Sequence, residues 1–402
     1  MNVLFITLIN IDTINEKGIY QDLLREFVKN GHNVYIVKPT ERRFKKKTHI
    51  VESDHVKILN VKTFNIQKTN IVEKGIGTIL LEHQFSKAIN KFFRNIDFDL
   101  ILYSTPPITY VKVIKNLKKQ TKAITYLLLK DIFPQNAVDL EMFSKKSLFY
   151  RYFRKKEKEL YALSDYIGCM SPANVDFVLK HNAIDPKKVE LCPNSIEISS
   201  GVMENEERDN ILVKYSIPLD KILFIYGGNL GKPQGLDFLL TVLEANKTKK
   251  DRFFLIVGSG TEYPKIEKWF QLNKPLNAKL IESLPKKEYD ILVKACDVGL
   301  IFLDPRFTIP NYPSRLLSYL ENKMPVLMAT DINTDIGRIA EENGYGVWTE
   351  NGNLKEFNVL LDRFCNGNLS IRAMGETGYE FLKNNYTAKK TYEIITTHLS
   401  HV

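Results

Sequence analysis

Short runs of β-branched and aromatic residues alternate with amphipathic segments of helical period along the chain, and the series occurs twice. The first series opens with VLFITLI, GIYQDLLREFVKNG and HNVYIV, and continues through DLILYS, AITYLLL, SDYIGCM and KKVELCP. Strands that are apolar along their length and separated by helices belong to parallel sheets covered on both faces. Gly31 marks the end of the first helical segment. A polar, acidic stretch, SSGVMENEERDNILVKYSIP, then breaks the pattern and reads as a linker. Beyond it the alternation restarts with KILFIYGGN, RFFLIVGSG, AKLIES, CDVGLIFL, MPVLMATD and YGVWTE. The expected fold is therefore α/β, with two doubly wound, Rossmann-like parallel-sheet domains facing a cleft. Its length of 402 residues agrees, being too great for one core. The expected boundaries are a first domain over 1–198, a linker over 199–212, a second domain over 213–380, and a C-terminal helix over 381–402 packing back on the first. Ligands of such sheets sit at the carboxyl ends of the strands, which places the chemistry in that cleft.

Hydrophobic residues make up 44 % of the chain and charged residues 26 %, a globular balance. No apolar run reaches the roughly 18 residues of a spanning helix. The opening MNVLFITLIN has no basic residue before its apolar run, and Asp12 follows soon after, so it reads as a buried first strand and not as a signal peptide. The expected location is the cytoplasm. Cys169, Cys192, Cys296 and Cys365 form no CxxC pair, and the expectation is reduced, mostly buried thiols.

The net charge of +10 is unevenly distributed. Residues 1–200 hold 32 Lys and Arg against 21 Asp and Glu, whereas residues 201–402 hold 25 against 26. The basic clusters are ERRFKKK, from Glu41 to Lys47, and MFSKKSLFYRYFRKKEKELYAL, from Met142. In the second, Phe149 and Phe153 are four apart and are expected to share one helical face. Basic residues interleaved with aromatics suit an anionic membrane surface; a solvated helix face is the alternative. No nucleic-acid motif accompanies the charge, so nucleic acid is not an expected partner.

Three glycine-rich or helix-opening turns follow strands of the second half: FIYGGNLGKPQGLDFLL, FLIVGSGTEY and the segment leading into PSRLLSYLENKMPVL. Turns of this kind bring backbone N–H groups close to phosphate oxygens. A single glycine is more often only a tight turn, but three such loops at successive strand ends point together to an anionic ligand.

With VELCPNSIE ahead of the linker, this ordered set resembles the retaining glycosyltransferases of family 4, with the GT-B fold. It is most similar to the bacterial subgroup that builds capsule, O-antigen and exopolysaccharide, including N-acetylfucosaminyl transferases. The resemblance covers nearly the whole chain. It implies an acceptor-binding first domain, a nucleotide-sugar-binding second domain, a UDP-sugar donor, a polyprenyl-diphosphate-linked acceptor, no metal or other cofactor, and peripheral attachment to the inner face of the cell membrane. The donor-side residues it implies are Gly228, Asn229, Gly231, Gly258, Ser259, Gly260, Leu284, Pro313, Ser314, Ser318 and Glu321.

The sequence departs from that family in its charges. The usual arginine and lysine of the first loop are replaced by Asn229 and Gln234, leaving Lys232 and Arg315 to stabilise the departing diphosphate; a structural ion pair is the alternative for Arg315. The family's two glutamates, separated by seven residues, correspond to Pro310 and Ser318, with Glu321 one helical turn later as a substitute for holding ribose. On the acceptor side the candidates are Lys17 and Gly18, after the first strand, and Lys130 and Asp131, in KDIFPQNA. Asp131 either accepts a proton from the acceptor hydroxyl or caps the turn after it. The DFD at Asp97–Asp99 runs straight into a buried strand and reads as a loop end, and the histidines lack HxxxH or HExxH spacing. Rival readings are a GT-B-fold UDP-sugar 2-epimerase and a non-catalytic nucleotide-sugar-binding protein. A dinucleotide-dependent oxidoreductase is disfavoured, because no GxGxxG follows the first strand.

Overall fold

In the computed structural model the described residues are 1–66, 71–199, 201 and 203–399. They form two compact units, Met1–Glu197 with Ala388–Val402, and Ile198–Thr387.

The first unit is built on eight strands: β1 (Asn2–Ile6), β2 (Asn33–Glu41), β3 (His49–Ser53), β4 (Val56–Thr63), β5 (Leu100–Ser104), β6 (Ile124–Leu129), β7 (Tyr166–Cys169) and β8 (Val189–Leu191). Their order is β3-β4-β2-β1-β5-β6-β7-β8. Among the described residues only the β3–β4 pair of this sheet is antiparallel. Val3, Leu4, Phe5 and Ile6 of β1 are all buried, which explains why the strand reads as an unbroken apolar run. The helix Ile19–Lys29 lays Leu23, Leu24 and Phe27 on this sheet. Its start is fixed by the buried carboxylate of Asp22, which accepts from the Gly18 amide (3.0 Å) and the Glu197 amide (2.9 Å). Gly31 follows its last turn with φ +77°, a conformation a side chain would strain.

The helix Ala388–Thr397 completes this unit. Tyr392 packs edge-on against Phe27, with ring centroids 4.9 Å apart, and its hydroxyl lies 2.9 Å from His32 Nε2. The crossing back to the first unit comes at Ala388, later than the expected 381. The preceding helix, Ile371–Asn385, belongs to the second unit, where Tyr386 is anchored by a 2.6 Å contact between its hydroxyl and that of Tyr312. Residues 400–402 of the expected terminal helix lie outside the described residues.

The second unit has six parallel strands: β9 (Ile222–Asn229), β10 (Arg252–Ser259), β11 (Ala278–Ile281), β12 (Val298–Phe302), β13 (Val326–Thr330) and β14 (Gly346–Glu350). They are ordered β11-β10-β9-β12-β13-β14. The chain winds outward from β9 on one side, then returns to β12 on the other. The carboxyl ends of these two strands therefore border the crevice where open α/β sheets take ligands. Residues 205–212 of the expected linker belong instead to a helix, Asn205–Lys214. It buries Ile211 and Leu212, while Arg208 donates to the Ala295 carbonyl (3.1 Å) and faces Asp297 (3.5 Å). Glu206 and Glu207 in its first turn suit the positive end of the helix dipole. Ser200 and Val202 of the expected linker lie outside the described residues.

Cys169, Cys192 and Cys296 are buried, and none of the four cysteines is paired. No helix among the described residues is long and apolar enough to cross a membrane.

Candidate functional site

The carboxyl ends of β9 and β10 meet through glycine. Gly228 has φ +117°, and a Cβ on Gly258 would stand 1.8 Å from the Gly228 carbonyl oxygen. A Cβ on Gly260 would likewise fall 2.3 Å from the Leu230 carbonyl oxygen. The two loops are tied by Leu230 N to Ser259 O (2.9 Å) and Glu262 N to Leu230 O (2.8 Å). Gly228, Asn229, Ser259 and Gly260 are exposed at this edge, so the backbone itself is presented to solvent. Gly231 stands beside the Asn229 amide and leads into a tight turn, Lys232–Gln234, with the Lys232 side chain exposed.

Arg315 opens the helix Arg315–Glu321, directly after Pro313 and Ser314. Its guanidinium lies over the Tyr226 ring, 4.3 Å from the centroid. Nη2 donates to Gln234 Oε1 (2.8 Å), while Nη1 is buried and without a hydrogen-bond partner. No carboxylate pairs with Arg315 among the described residues, so the alternative of a structural ion pair is not what holds it. The surroundings are phenolic. Tyr226 Oη donates to the Asn229 carbonyl (2.8 Å), and Tyr319 Oη takes the Gly227 amide (3.2 Å). Tyr289 reaches the same step, since a Cβ on Gly227 would lie 2.0 Å from its hydroxyl. Burial pushes the Tyr289 phenol up to about 12, against the opposing pull of Arg315, so it stays a donor at neutral pH. An ionised guanidinium with one buried N–H pair unused is chemically suited to an anion.

The structure thus gathers Gly228, Asn229, Gly231, Gly258, Gly260 and Arg315, with Ser259 and Lys232 on the same loops. Tyr226, Tyr289 and the pairing role of Gln234 were not foreseen. The tyrosine directly ahead of the double glycine was the one available signal. Ser318 is half-buried on the Arg315 helix, and Leu284 is half-buried in the loop after β11. Glu321 Oε1 accepts from the Ser199 amide (2.9 Å) and hydroxyl (3.0 Å), so this carboxylate already ties down the start of the unit.

In the first unit, Asp131 follows β6. Its two carboxylate oxygens each receive a 2.8 Å hydrogen bond from Asn136 Nδ2, and burial raises the group to about 6 despite those bonds. Lys130 does not project outward, because its ammonium donates to the Cys192 carbonyl (3.2 Å) and burial lowers its pKa. Lys17 and Gly18 lie half-buried in a loop stapled by Arg25, whose Nη1 donates to the Ile14 and Glu16 carbonyls. Asp99 accepts from the Asn2 amide (2.7 Å), a loop-end role. No group of three His, Cys, Asp or Glu able to hold a metal occurs among the described residues.

The basic segment after Met142 forms the helix Leu148–Leu163, capped by Ser147. Met142, Leu148 and Phe149 are 67 %, 78 % and 69 % exposed, with Lys145, Lys146, Arg151 and Lys155 exposed beside them. The expected pairing of Phe149 with Phe153 on one outward face fails. Phe153 turns in and meets Phe133, with centroids 5.0 Å apart. Arg154 is likewise consumed, bound to Glu157 (2.5 Å) and the His181 carbonyl (2.7 Å).

Two parallel-sheet α/β units, the second with its glycine-bordered crevice, are the GT-B fold. Sucrose-phosphate synthase from Thermosynechococcus elongatus superposes with a TM-score of 0.78 at 13 % identity, covering 100 % of this chain and 98 % of that one. Anabaena Alr3699/HepE in complex with UDP gives 0.71 at 13 % identity, covering all of both chains. WaaG, a glycosyltransferase involved in lipopolysaccharide biosynthesis, gives 0.66 at 12 % identity, with 98 % and 99 % covered. Residues 207–381 match the family model of glycosyl transferases group 1. The probable glycosyltransferase WbjE of Pseudomonas aeruginosa is 23 % identical over 325 residues, 80 % of this chain and 78 % of that protein. The chain is thus similar to group 1 glycosyltransferases over residues 207–381 and shares the GT-B fold.

Proposed function

We propose that the protein is a retaining hexosyltransferase, of family 4 type, that moves an N-acetylhexosamine or N-acetyl-deoxyhexosamine from a UDP-sugar to a polyprenyl-diphosphate-linked saccharide in surface polysaccharide assembly. The observation that carries this reading is Arg315, a half-buried guanidinium with no ion pair and with Nη1 buried and unpartnered, beside backbone that only glycine permits. Similarity to a fold neighbour that holds UDP favours the donor class, and similarity to the probable glycosyltransferase WbjE favours sugar transfer. The donor diphosphate lies against Gly228, Gly258 and Gly260, and Arg315 with Lys232 meets the charge that develops as the sugar departs. Asp131 takes the proton of the acceptor hydroxyl, and Ser318 or Glu321 holds the ribose. No metal or other cofactor takes part. The exposed Met142, Leu148 and Phe149, ringed by lysines, rest on the anionic inner face of the cell membrane, where the lipid-linked acceptor resides.

A panel of nucleotide sugars tests this by thermal shift and by turnover with a lipid-linked saccharide. The expected result is a raised melting temperature with UDP-sugars and transfer of sugar. An isomerised donor would mark a 2-epimerase, and a thermal shift without either product a nucleotide-sugar-binding protein.

A further inference from the structure

The geometry points to Gln234 and Tyr226 as positioning residues that aim Arg315 at an anionic ligand, with a neutral amide at 234 required so that the guanidinium keeps its whole charge for that ligand. This rests on the reading of the glycine-bordered crevice as the diphosphate site.

Arg315 is held from two directions and left open in a third. The Tyr226 ring supports its face at 4.3 Å, and the Gln234 carbonyl oxygen takes Nη2 at 2.8 Å. Both supports are themselves fixed. Tyr226 is fully buried, with its hydroxyl on the Asn229 carbonyl (2.8 Å). Gln234 sits in a turn closed by Gln234 N to Gly231 O (3.0 Å) and Gly235 N to Lys232 O (3.1 Å), while Asp304 N donates to Pro233 O (3.1 Å). The remaining nitrogen, Nη1, is buried and unpartnered. A guanidinium fork that gives one N–H direction to an amide and one face to a ring is held in one orientation, and in it Nη2, the nitrogen guided by Gln234, lies on the Gly228 side, 3.7 Å from where a Cβ would stand.

The sign of the group at 234 then matters more than its size. An amide oxygen orients Arg315 without neutralising it. A carboxylate there would form a charge-assisted pair, stronger and more stable, but it would compete with the ligand for the same cation. An ammonium would repel Arg315 and remove the acceptor. A merely structural role predicts the opposite ranking, since strengthening the contact would leave the site intact.

The experiment measures UDP affinity by calorimetry, turnover of the UDP-sugar, and melting temperature for the full chain and for Gln234→Glu, Gln234→Ala, Arg315→Ala and Arg315→Ala/Gln234→Glu. Gln234→Glu is expected to melt no lower than the parent, yet to bind UDP at least ten-fold more weakly and to lose kcat as well as affinity. Gln234→Ala, which removes the guide but not the charge, loses several-fold. In the Arg315→Ala background, Gln234→Glu adds little, because its effect passes through Arg315. A Gln234→Glu variant that binds UDP as the parent does overturns the proposal, and so does a full additional loss in the double variant, which would mean that Gln234 meets the ligand itself. Undiminished UDP binding by Arg315→Ala would instead overturn the diphosphate reading on which the proposal rests.

Discussion

The two units wind their sheets alike but finish the carboxyl ends of the strands in different ways. In the second unit the edge is backbone. Gly228, Gly258 and Gly260 let two loops close to distances no side chain would allow, and one cation, Arg315, is kept without a carboxylate. In the first unit the edge is filled by side chains that satisfy one another. Lys38, almost fully buried, binds Asn10 and Asp12 (both 2.5 Å), Asp22 binds Arg25, and Lys130 binds the Cys192 carbonyl. The excess of positive charge in residues 1–200 is therefore no guide to where an anion is held. The half of the chain that is nearly neutral holds Arg315, the cation to which the proposed function assigns the diphosphate. Under the proposed function, such a contrast suits a rigid seat for a diphosphate of fixed shape on one unit and a surface for a larger, variable acceptor on the other.

Removing Arg315 breaks the comparison most directly. Arg315→Ala should lower kcat/KM by about 10²–10³ while the melting temperature changes little, because the half-buried guanidinium has no ion pair to lose. Steady-state kinetics beside a thermal melt checks both halves. If turnover falls less than ten-fold, the cationic seat is elsewhere.

Asp131→Asn tests the other edge and should lower kcat by about 10², the lower range for loss of a general base. The base form is the carboxylate, and burial has raised it to about 6. The parent should therefore lose activity as the pH falls through about 6, and the variant's residual activity should lack that limb. Stability runs the other way. A carboxyl raised in the folded state favours folding most below its ordinary range, and that contribution is lost as the pH rises through about 6. The melting temperature of the variant relative to the parent should accordingly improve between pH 4 and pH 8. A difference independent of pH would mean that Asp131 is not held in this way.

The winding itself was legible, because strands buried on both faces must be apolar throughout and the helices between them must be amphipathic. So were the glycine-rich turns, since YGGN and VGSG lie at the carboxyl ends of β9 and β10 and PSR opens the helix Arg315–Glu321. What escaped depended on partners distant in sequence. The substitution at Gln234 read as a lost lysine, and nothing in the chain shows that its amide meets an arginine 81 residues later. The helix Asn205–Lys214 escaped because only Ile211 and Leu212 of its ten residues are buried, too few to mark a period among charges. The spacing of Phe149 and Phe153 was read correctly as one side of a helix. The first residues of that helix are exposed, Phe149 among them, whereas Phe153 one turn later meets Phe133.

That correction sharpens a smaller effect on the first unit. Replacing Lys145, Lys146, Arg151 or Lys155 singly with Gln should weaken co-sedimentation with anionic vesicles about five-fold each, at ~1 kcal/mol per basic residue near such a surface. High salt should weaken it further. Phe149→Ala should lower vesicle binding without lowering the melting temperature, whereas Phe153→Ala should do the reverse. If both variants behave alike, or if the parent sediments equally with neutral lipid, the exposed face has no part in reaching the acceptor.

The smallest effect expected is none at all, and it is tied to the largest. Charge that develops on a departing diphosphate must be met by a metal ion or by side chains held in place. In the proposed mechanism Arg315 and Lys232 meet it, and the Tyr289 phenol, kept protonated by burial, stands ready to donate. Turnover measured with and without EDTA should therefore agree within error, and added magnesium or manganese should not raise it. The two measurements check each other. If EDTA abolishes turnover and a divalent ion restores it, the ion is supplying the stabilisation assigned to Arg315, and Arg315→Ala should then prove mild. If EDTA has no effect and Arg315→Ala is severe, the charge has passed from the glycine-rich loop, where Asn229 and Gln234 now stand, to the first turn of the helix Arg315–Glu321.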